Sequence, residues 1–163
     1  MFYQYLEDKI ITKSSTKNYI ESDLGHLLGH HLRRAHLAIW RDFNDNVGHG
    51  GLRPGQFGVL STIDQHPGIS QIEISRLLDL DKASIVSLIY RLENLEWIEK
   101  RQAKEDRRRH QLYLTTLGKK QLRIIRKDMR KHEETFKKRF NKNEFETLIE
   151  LLQRVYLPGD KNK

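Results

Sequence analysis

Ser70-Gln71-Ile72-Glu73 is a capping box: the serine hydroxyl is spaced to accept from the backbone N–H of residue 73, and the glutamate to reach back to the N–H of residue 70. The spacing predicts a helix from Gln71, with Ile72, Ile74, Leu77 and Leu78 available for a core-facing stripe. Asp79-Leu80-Asp81 interrupts that helix and offers Asp81 as the cap of a second one, over about 82–94. Two short capped helices with so small a break must bury their stripes against one shared core, which points to a helix-turn-helix.

In the second helix Ile85, Leu88, Ile89 and Leu92 recur at i, i+3, i+4 and i+7 and define the buried face. Lys82, Ala83, Ser84, Ser87 and Arg91 are left outward or toward the N-terminus. Small side chains let a helix sit deep in a major groove. Lysine donates to guanine acceptors, serine hydroxyls donate or accept, alanine meets a thymine methyl, and Arg91 is better placed for phosphate. Ser70 and Gln71, at the start of the preceding helix, join the candidate DNA contacts. The competing reading is an ordinary solvated surface helix.

Trp97-Ile98-Glu99-Lys100-Arg101-Gln102 and Arg109-His110-Gln111-Leu112-Tyr113-Leu114 read as two short antiparallel strands. From 100 to 109 the basic residues are Lys100, Arg101, Lys104, Arg107, Arg108 and Arg109, against Glu105 and Asp106. Such a loop projects guanidinium groups toward the negative potential of a narrow minor groove. A solvated charged hairpin tip is the alternative, and coupling to the capped helix pair favours DNA.

Leu52-Arg53-Pro54-Gly55-Gln56-Phe57-Gly58-Val59-Leu60, Pro67-Gly68-Ile69-Ser70-Gln71, Leu92-Glu93, Asp106-Arg107-Arg108 and Leu114-Thr115-Thr116-Leu117-Gly118, in this order and spacing, resemble the MarR (multiple antibiotic resistance regulator) family over roughly residues 24–157. The resemblance implies a mainly α winged helix-turn-helix with a small antiparallel β-wing and N- and C-terminal dimerisation helices. It further implies a homodimer on a pseudo-palindromic double-stranded operator, released by a small phenolic or lipophilic ligand. By the family's Asp-x-Arg wing pattern, Asp106 would brace the loop and Arg108 would enter the minor groove beside Arg107. Two positions depart from the pattern. Glu96 stands where the family commonly has glycine after the recognition helix, so the turn must tolerate a side chain. Arg53 stands where a Ser or Thr cap is common, leaving it as a candidate for an anionic ligand group or as a solvated arginine with the helix capped otherwise.

The domain reading that follows has a polar leader over 1–21 and one domain over 22–163. Within it lie the winged helix-turn-helix at 52–118 and dimerisation helices at 22–45 and 119–157. Ser22 or Asp23 is placed to cap a helix carrying Leu24, Leu27, Leu28, Leu32, Ala35, Ile39 and Phe43. Pro54 suits the first turn of the next helix. Thr116 to about Phe140 reads as a long basic helix, and Asn143-Glu144-Phe145-Glu146 as the cap of a last one stopped by Pro158. The apolar faces of these terminal helices exceed what a small domain covers, hence the expected second copy.

In the family the ligand pocket lies where the dimerisation helices meet the DNA-binding lobe. Candidate lining residues are His31, Leu32, Ala35, His36 and Trp40, with Phe57, Leu60 and Arg53. The run Leu24-Gly25-His26-Leu27-Leu28 with Arg33-Arg34-Ala35-His36 is similar to MarR proteins that control breakdown of aromatic acids, including hydroxycinnamates. An aromatic carboxylate or its thioester is therefore the favoured effector class, with a related efflux or stress operon as the other target class.

The chain has 163 residues and a formal net charge of +8, which suits a polyanion and predicts salt-dependent binding. With no apolar run long enough for a span and no signal-peptide pattern, a cytoplasmic location is expected, away from membranes. Absence of cysteine excludes a direct thiol switch and cysteine metal sites. His26 and His30, four apart, with His31 and His36 nearby, invite a metal reading, but nothing near them completes a ligand set. No metal and no cofactor is expected, and a metal-responsive regulator is kept as an alternative. There is no P-loop, Gly-x-Ser-x-Gly elbow, His-Glu-x-x-His or dinucleotide fingerprint, so no enzyme is expected. A non-specific architectural DNA-binding protein is the remaining alternative.

Overall fold

The computed structural model describes residues 23–48, 52–102 and 110–157. A 3-10 turn, Asp23–His26, precedes α1, Leu28–Asn46. There follow α2, Pro54–Gln65; α3, Gln71–Leu77; α4, Lys82–Asn94; β1, Ile98–Gln102; β2, His110–Leu114; α5, Thr116–Lys137; and α6, Lys142–Tyr156. This is a winged helix-turn-helix flanked by long helices. The chain divides into two units, Met1–Arg41 and Asp42–Lys163, with α1 running across the boundary.

Caps set most of the boundaries. The predicted box at Ser70 forms: Glu73 N–H donates to Ser70 Oγ at 3.3 Å and Ser70 N–H to Glu73 Oε2 at 2.8 Å. Pro54 opens α2, and Arg53, which has no side-chain acceptor, is replaced in the capping role by Gln56, whose Oε1 accepts from Arg53 N–H at 2.8 Å. Three expectations are corrected. The first helix does not start at Ser22 or Asp23, since a 3-10 turn ends at His26 before α1 begins. The last helix is capped by Asn141, not Asn143: Asn141 Oδ1 accepts from Glu144 N–H at 3.0 Å and Glu144 Oε2 from Asn141 N–H at 2.8 Å, adding residues to its front. The helix α5 stops at Lys137, short of Phe140, with Lys138 as its C-cap donating its N–H to Glu134 O.

The core of the larger unit joins Phe43, Val47 and Leu52 to Val59, Leu60 and Ile63 of α2, Ile74 of α3, Ile85, Ile89 and Leu92 of α4, the wing strands, and Leu122 and Ile125 of α5. Of the stripe expected on α3, Ile74 is buried and Leu78 partly so, but Ile72 and Leu77 are exposed. At ~100° per residue Ile72 lies far round the helix from Ile74, and seven residues make room for one buried side. His132 of α5 is buried, packs edge-on to Phe43 and Phe136, and its Nδ1 lies 2.5 Å from Asp42 Oδ2.

The strands pair antiparallel with Ile98 opposite Leu114, Lys100 opposite Leu112 and Gln102 opposite His110. Glu96 takes φ 57° before β1, the left-handed turn that the missing glycine foreshadowed. Thr115 Oγ1 holds that turn by donating to Glu96 O at 2.6 Å, while accepting from Gly118 N–H at 2.9 Å as the cap of α5. Gly118 sits so close to β1 that a Cβ would fall 1.8 Å from the carbonyl oxygen of Trp97.

Candidate nucleic-acid interface

The turn between α3 and α4 is fixed by local bonds. Asp79 takes φ 49°, Leu80 N–H donates to Ser75 O at 2.9 Å, and Ser75 Oγ donates to Leu80 O at 2.7 Å. Asp81 then caps α4 as predicted, with Oδ1 accepting from the N–H groups of Ala83 and Ser84, both at 2.9 Å. These bonds, with Ser84 Oγ donating to Oδ2 at 2.5 Å, stabilise the carboxylate and hold the Asp81 pKa below its usual value.

With Ile85, Ile89 and Leu92 buried beneath, α4 exposes Lys82, Ala83, Ser87 and Arg91. Ser84 is half-buried and its proton is committed to Asp81, so its oxygen is left to accept rather than donate. Ser70 is committed likewise, donating to Glu73 Oε2 at 2.6 Å, and Gln71 is half-buried. Two further residues share this exposed face and do not figure among the sequence candidates. Val86, 47% exposed, and Tyr90, 66% exposed, line a shallow apolar depression with Lys82, Ala83 and Ser87. Their signal was available in the i, i+4 spacing 82, 86, 90. Such a stripe offers a methyl-bearing and an aromatic surface to base edges beside the lysine donor.

The wing root is less cationic than its sequence. Lys100 Nζ pairs with Glu93 Oε2 at 2.6 Å, tying β1 to α4. Arg101 pairs with Glu99, and its guanidinium lies 4.4 Å from the centre of the Tyr113 ring. Lys104, Glu105, Asp106, Arg107, Arg108 and Arg109 lie outside the described residues.

Among the effector candidates, His31, Ala35, His36 and Trp40 are exposed and Leu32 half-buried in the N-terminal unit. In the larger unit Leu60 is fully buried in the core, Phe57 packs against it, and Arg53 is exposed. His26 and His30 fall in different elements, so they do not share a helical face, and His31 Nε2 lies 2.7 Å from Gly25 O. Among the described residues no three His, Asp or Glu side chains gather to hold a metal ion. Nor is any helix among them long and apolar enough to cross a membrane.

A model of the MarR family matches residues 52–110. A Thauera aromatica protein, "putative transcriptional regulatory protein for hcr operon", is 35% identical over 130 residues, covering 79% of this chain and 78% of that protein. The transcriptional repressor CouR, solved bound to a 23-mer DNA duplex, superposes with a TM-score of 0.79 at 30% identity, covering 83% of this chain and 96% of that one. CouR bound to p-coumaroyl-CoA gives 0.73 at 29%, covering 82% and 94%. The PcaV regulator of Streptomyces coelicolor, in complex with its natural ligand, gives 0.78 at 25%, covering 82% and 94%.

Proposed function

The chain belongs to the MarR family of transcriptional regulators, which are not enzymes, and from that premise we propose that it is a homodimeric, sequence-specific repressor released from its operator by an aromatic carboxylate or aromatic acyl thioester. The observation that carries the DNA assignment is the Asp81-capped α4, which offers Lys82, Ala83, Val86, Ser87 and Tyr90 on one face while Ile85, Ile89 and Leu92 anchor the other. By the family's wing pattern Arg107 and Arg108 would add phosphate or minor-groove contacts, and Asp106 would brace the loop; these three residues lie outside the described ones.

Support for the homodimer comes from apolar surface. Ile149, Leu151, Val155, Tyr156 and Leu157 of the C-terminal helix region are each at least 41% exposed, and α6 buries no residue. In the N-terminal unit Leu24, Leu27 and Leu28 are about half exposed. A second copy covering these surfaces would present two α4 helices to successive major grooves, ~10 bp apart.

The effector class rests on relatives: CouR is solved with p-coumaroyl-CoA, an aromatic acyl thioester. The α1 residues His31, Leu32, Ala35, His36 and Trp40 are the candidates for holding it; Leu60, fully buried in the core, is not free to do so. Only differential affinity for two arrangements of the heads would release DNA. The test is a titration of labelled upstream DNA of the protein's own gene, with and without aromatic acids and acyl thioesters. Specific binding that these compounds weaken supports the reading; equal affinity for unrelated DNA at the same salt overturns the regulator, and release by another chemical class alone overturns the effector.

A further inference from the structure

One long face of α5 is cationic from end to end. At ~100° per residue, Lys119, Lys120, Arg123, Lys127, Arg130 and Lys131 fall within about a third of the helix circumference, and all are exposed. The opposite side carries Leu122, Ile125 and Met129 into or against the core, with His132 buried in line with them. Burial of that side keeps the basic face outward.

Little on the helix offsets this charge. The acidic residue of the same sector is Glu134, which lies 3.7 Å from Lys137, a further cation of that face. Lys131 lies 3.7 Å from Asp128, and Arg126, at the edge of the sector, is held by Asp64 of α2 at 2.8 Å. Lys119, Lys120, Arg123, Lys127 and Arg130 have no ion-pair partner among the described residues. Arg123 with Lys127, and Lys127 with Lys131, are like-charge neighbours four apart, which destabilise a helix until a counter-charge arrives.

The form of the stripe selects the partner. Folded protein surfaces mix both signs, whereas one sign repeated along a rod matches a repeating polyanion. A membrane-surface helix needs an apolar side to insert, and here that side is spent on the core. A twofold contact through this face would set like charges against each other, which leaves the second copy to the apolar surface of α6. The 22 residues of α5 span ~33 Å, close to one turn of duplex at ~34 Å. The stripe also continues from the wing: Thr115, directly after β2, caps α5, and Gly118 packs on the Trp97 carbonyl.

We propose that the basic face of α5 is a second DNA surface, which holds the sugar–phosphate backbone of duplex outside the base pairs read by α4. The inference rests on the reading of the chain as a DNA-binding regulator and adds affinity without sequence preference. It makes the length of the DNA, and not only the operator within it, a determinant of binding.

The test is residue-by-residue acetylation of lysines in the full-length protein, read by mass spectrometry. It is run free, with a fragment of the gene's own upstream DNA several helical turns longer than the operator, with an RNA hairpin, and with phosphatidylglycerol vesicles. Lys82 on α4 is the internal control. Saturating DNA is expected to slow acetylation of Lys120, Lys127 and Lys131 at least fivefold, together with Lys82. Protection of Lys82 without the stripe overturns the second surface and leaves the regulator reading standing; protection of neither overturns both. Protection of the stripe by RNA or vesicles but not by DNA overturns the proposal in favour of that partner. Combined Lys120→Gln, Arg123→Gln and Lys127→Gln, all at exposed positions, is expected to lower the slope of log affinity against log salt by ~0.9 per lost phosphate contact on the long fragment, with base preference retained. An unchanged slope overturns the contact.

Discussion

Ser84 Oγ donates to Asp81 Oδ2 across 2.5 Å, so the hydroxyl that the sequence offers to DNA bases instead closes the cap of the recognition helix. Replacing Ser84 with alanine should therefore lower thermal stability slightly and leave the base preference of the protein nearly intact. Asp81→Ala should do more, because it also strips the acceptor from the N–H groups of Ala83 and Ser84. Melting curves of both variants, with operator affinities against base-pair variants of the site, check the order. A large change of base preference in Ser84→Ala would place its hydroxyl on DNA.

The same cap gives a pH dependence with a defined sign. The Asp81 pKa is lowered in the folded chain, chiefly by the Ser84 side chain and backbone, from a usual value of 3.8. Its contribution to stability is thus complete above that value and is lost as pH falls through the lower, folded value. Unfolding of Asp81→Asn followed below pH 4 should lack this part of the acid dependence seen in the parent protein.

Val86 and Tyr90 should matter to specificity more than their apolar character suggests. Val86→Ala removes two carbons from the exposed stripe of α4, which at ~0.8 kcal/mol per buried CH₂ predicts about a tenfold loss of operator affinity. Replacing thymine by uracil in the operator removes the methyl that such a side chain reads. The effect of Val86→Ala should then shrink at the thymine it contacts. Equal losses on every DNA, methylated or not, would remove Val86 from base readout.

Arg107 and Arg108 should behave as phosphate or minor-groove ligands. Each alanine replacement is expected to weaken binding to all sequences and to reduce the slope of log affinity against log salt by ~0.9 per lost phosphate contact. Titrations at three or more salt concentrations measure the slope directly.

Gly118 should tolerate no side chain. A Cβ there would lie 1.8 Å from the Trp97 carbonyl oxygen, and the obstacle is backbone, not a side chain that can swing away. Gly118→Ala is expected to cost about 3 kcal/mol or more by forcing α5 off the wing root. Denaturant unfolding checks it, and a loss below about 1 kcal/mol would mean that α5 shifts easily.

The starts of α3 and α4 and the buried stripe of α4 were legible because they depend on residues within four positions of one another. Ser70 with Glu73, Asp81 before α4, and Ile85, Ile89 and Leu92 beneath it could be read from spacing alone. Glu96 announced a left-handed turn by replacing glycine. What spacing did not reveal is long-range pairing. The clasp of Glu93 on Lys100, the hydroxyl of Thr115 on the Glu96 carbonyl, and His132 against Asp42 each need the fold to bring distant residues together. The cap bonds of the Ser84 and Ser70 hydroxyls do not follow from their place on the candidate face, because a residue type that suits DNA also suits a helix cap. Exposure on α3 does not follow from its apolar count, because a seven-residue helix has one side to bury and Ile72 and Leu77 lie off it.

The most direct measurement is photocrosslinking from the outward face of α4. With the photoreactive p-benzoylphenylalanine in place of Tyr90, 66% exposed on that face, irradiation with operator DNA should give a specific crosslink in the major groove of each half-site. The same group in place of Ile149 on α6 should give none and should instead join two protein chains. A crosslink to DNA from position 149 and none from position 90 would contradict the assignment of α4 as the DNA-reading helix.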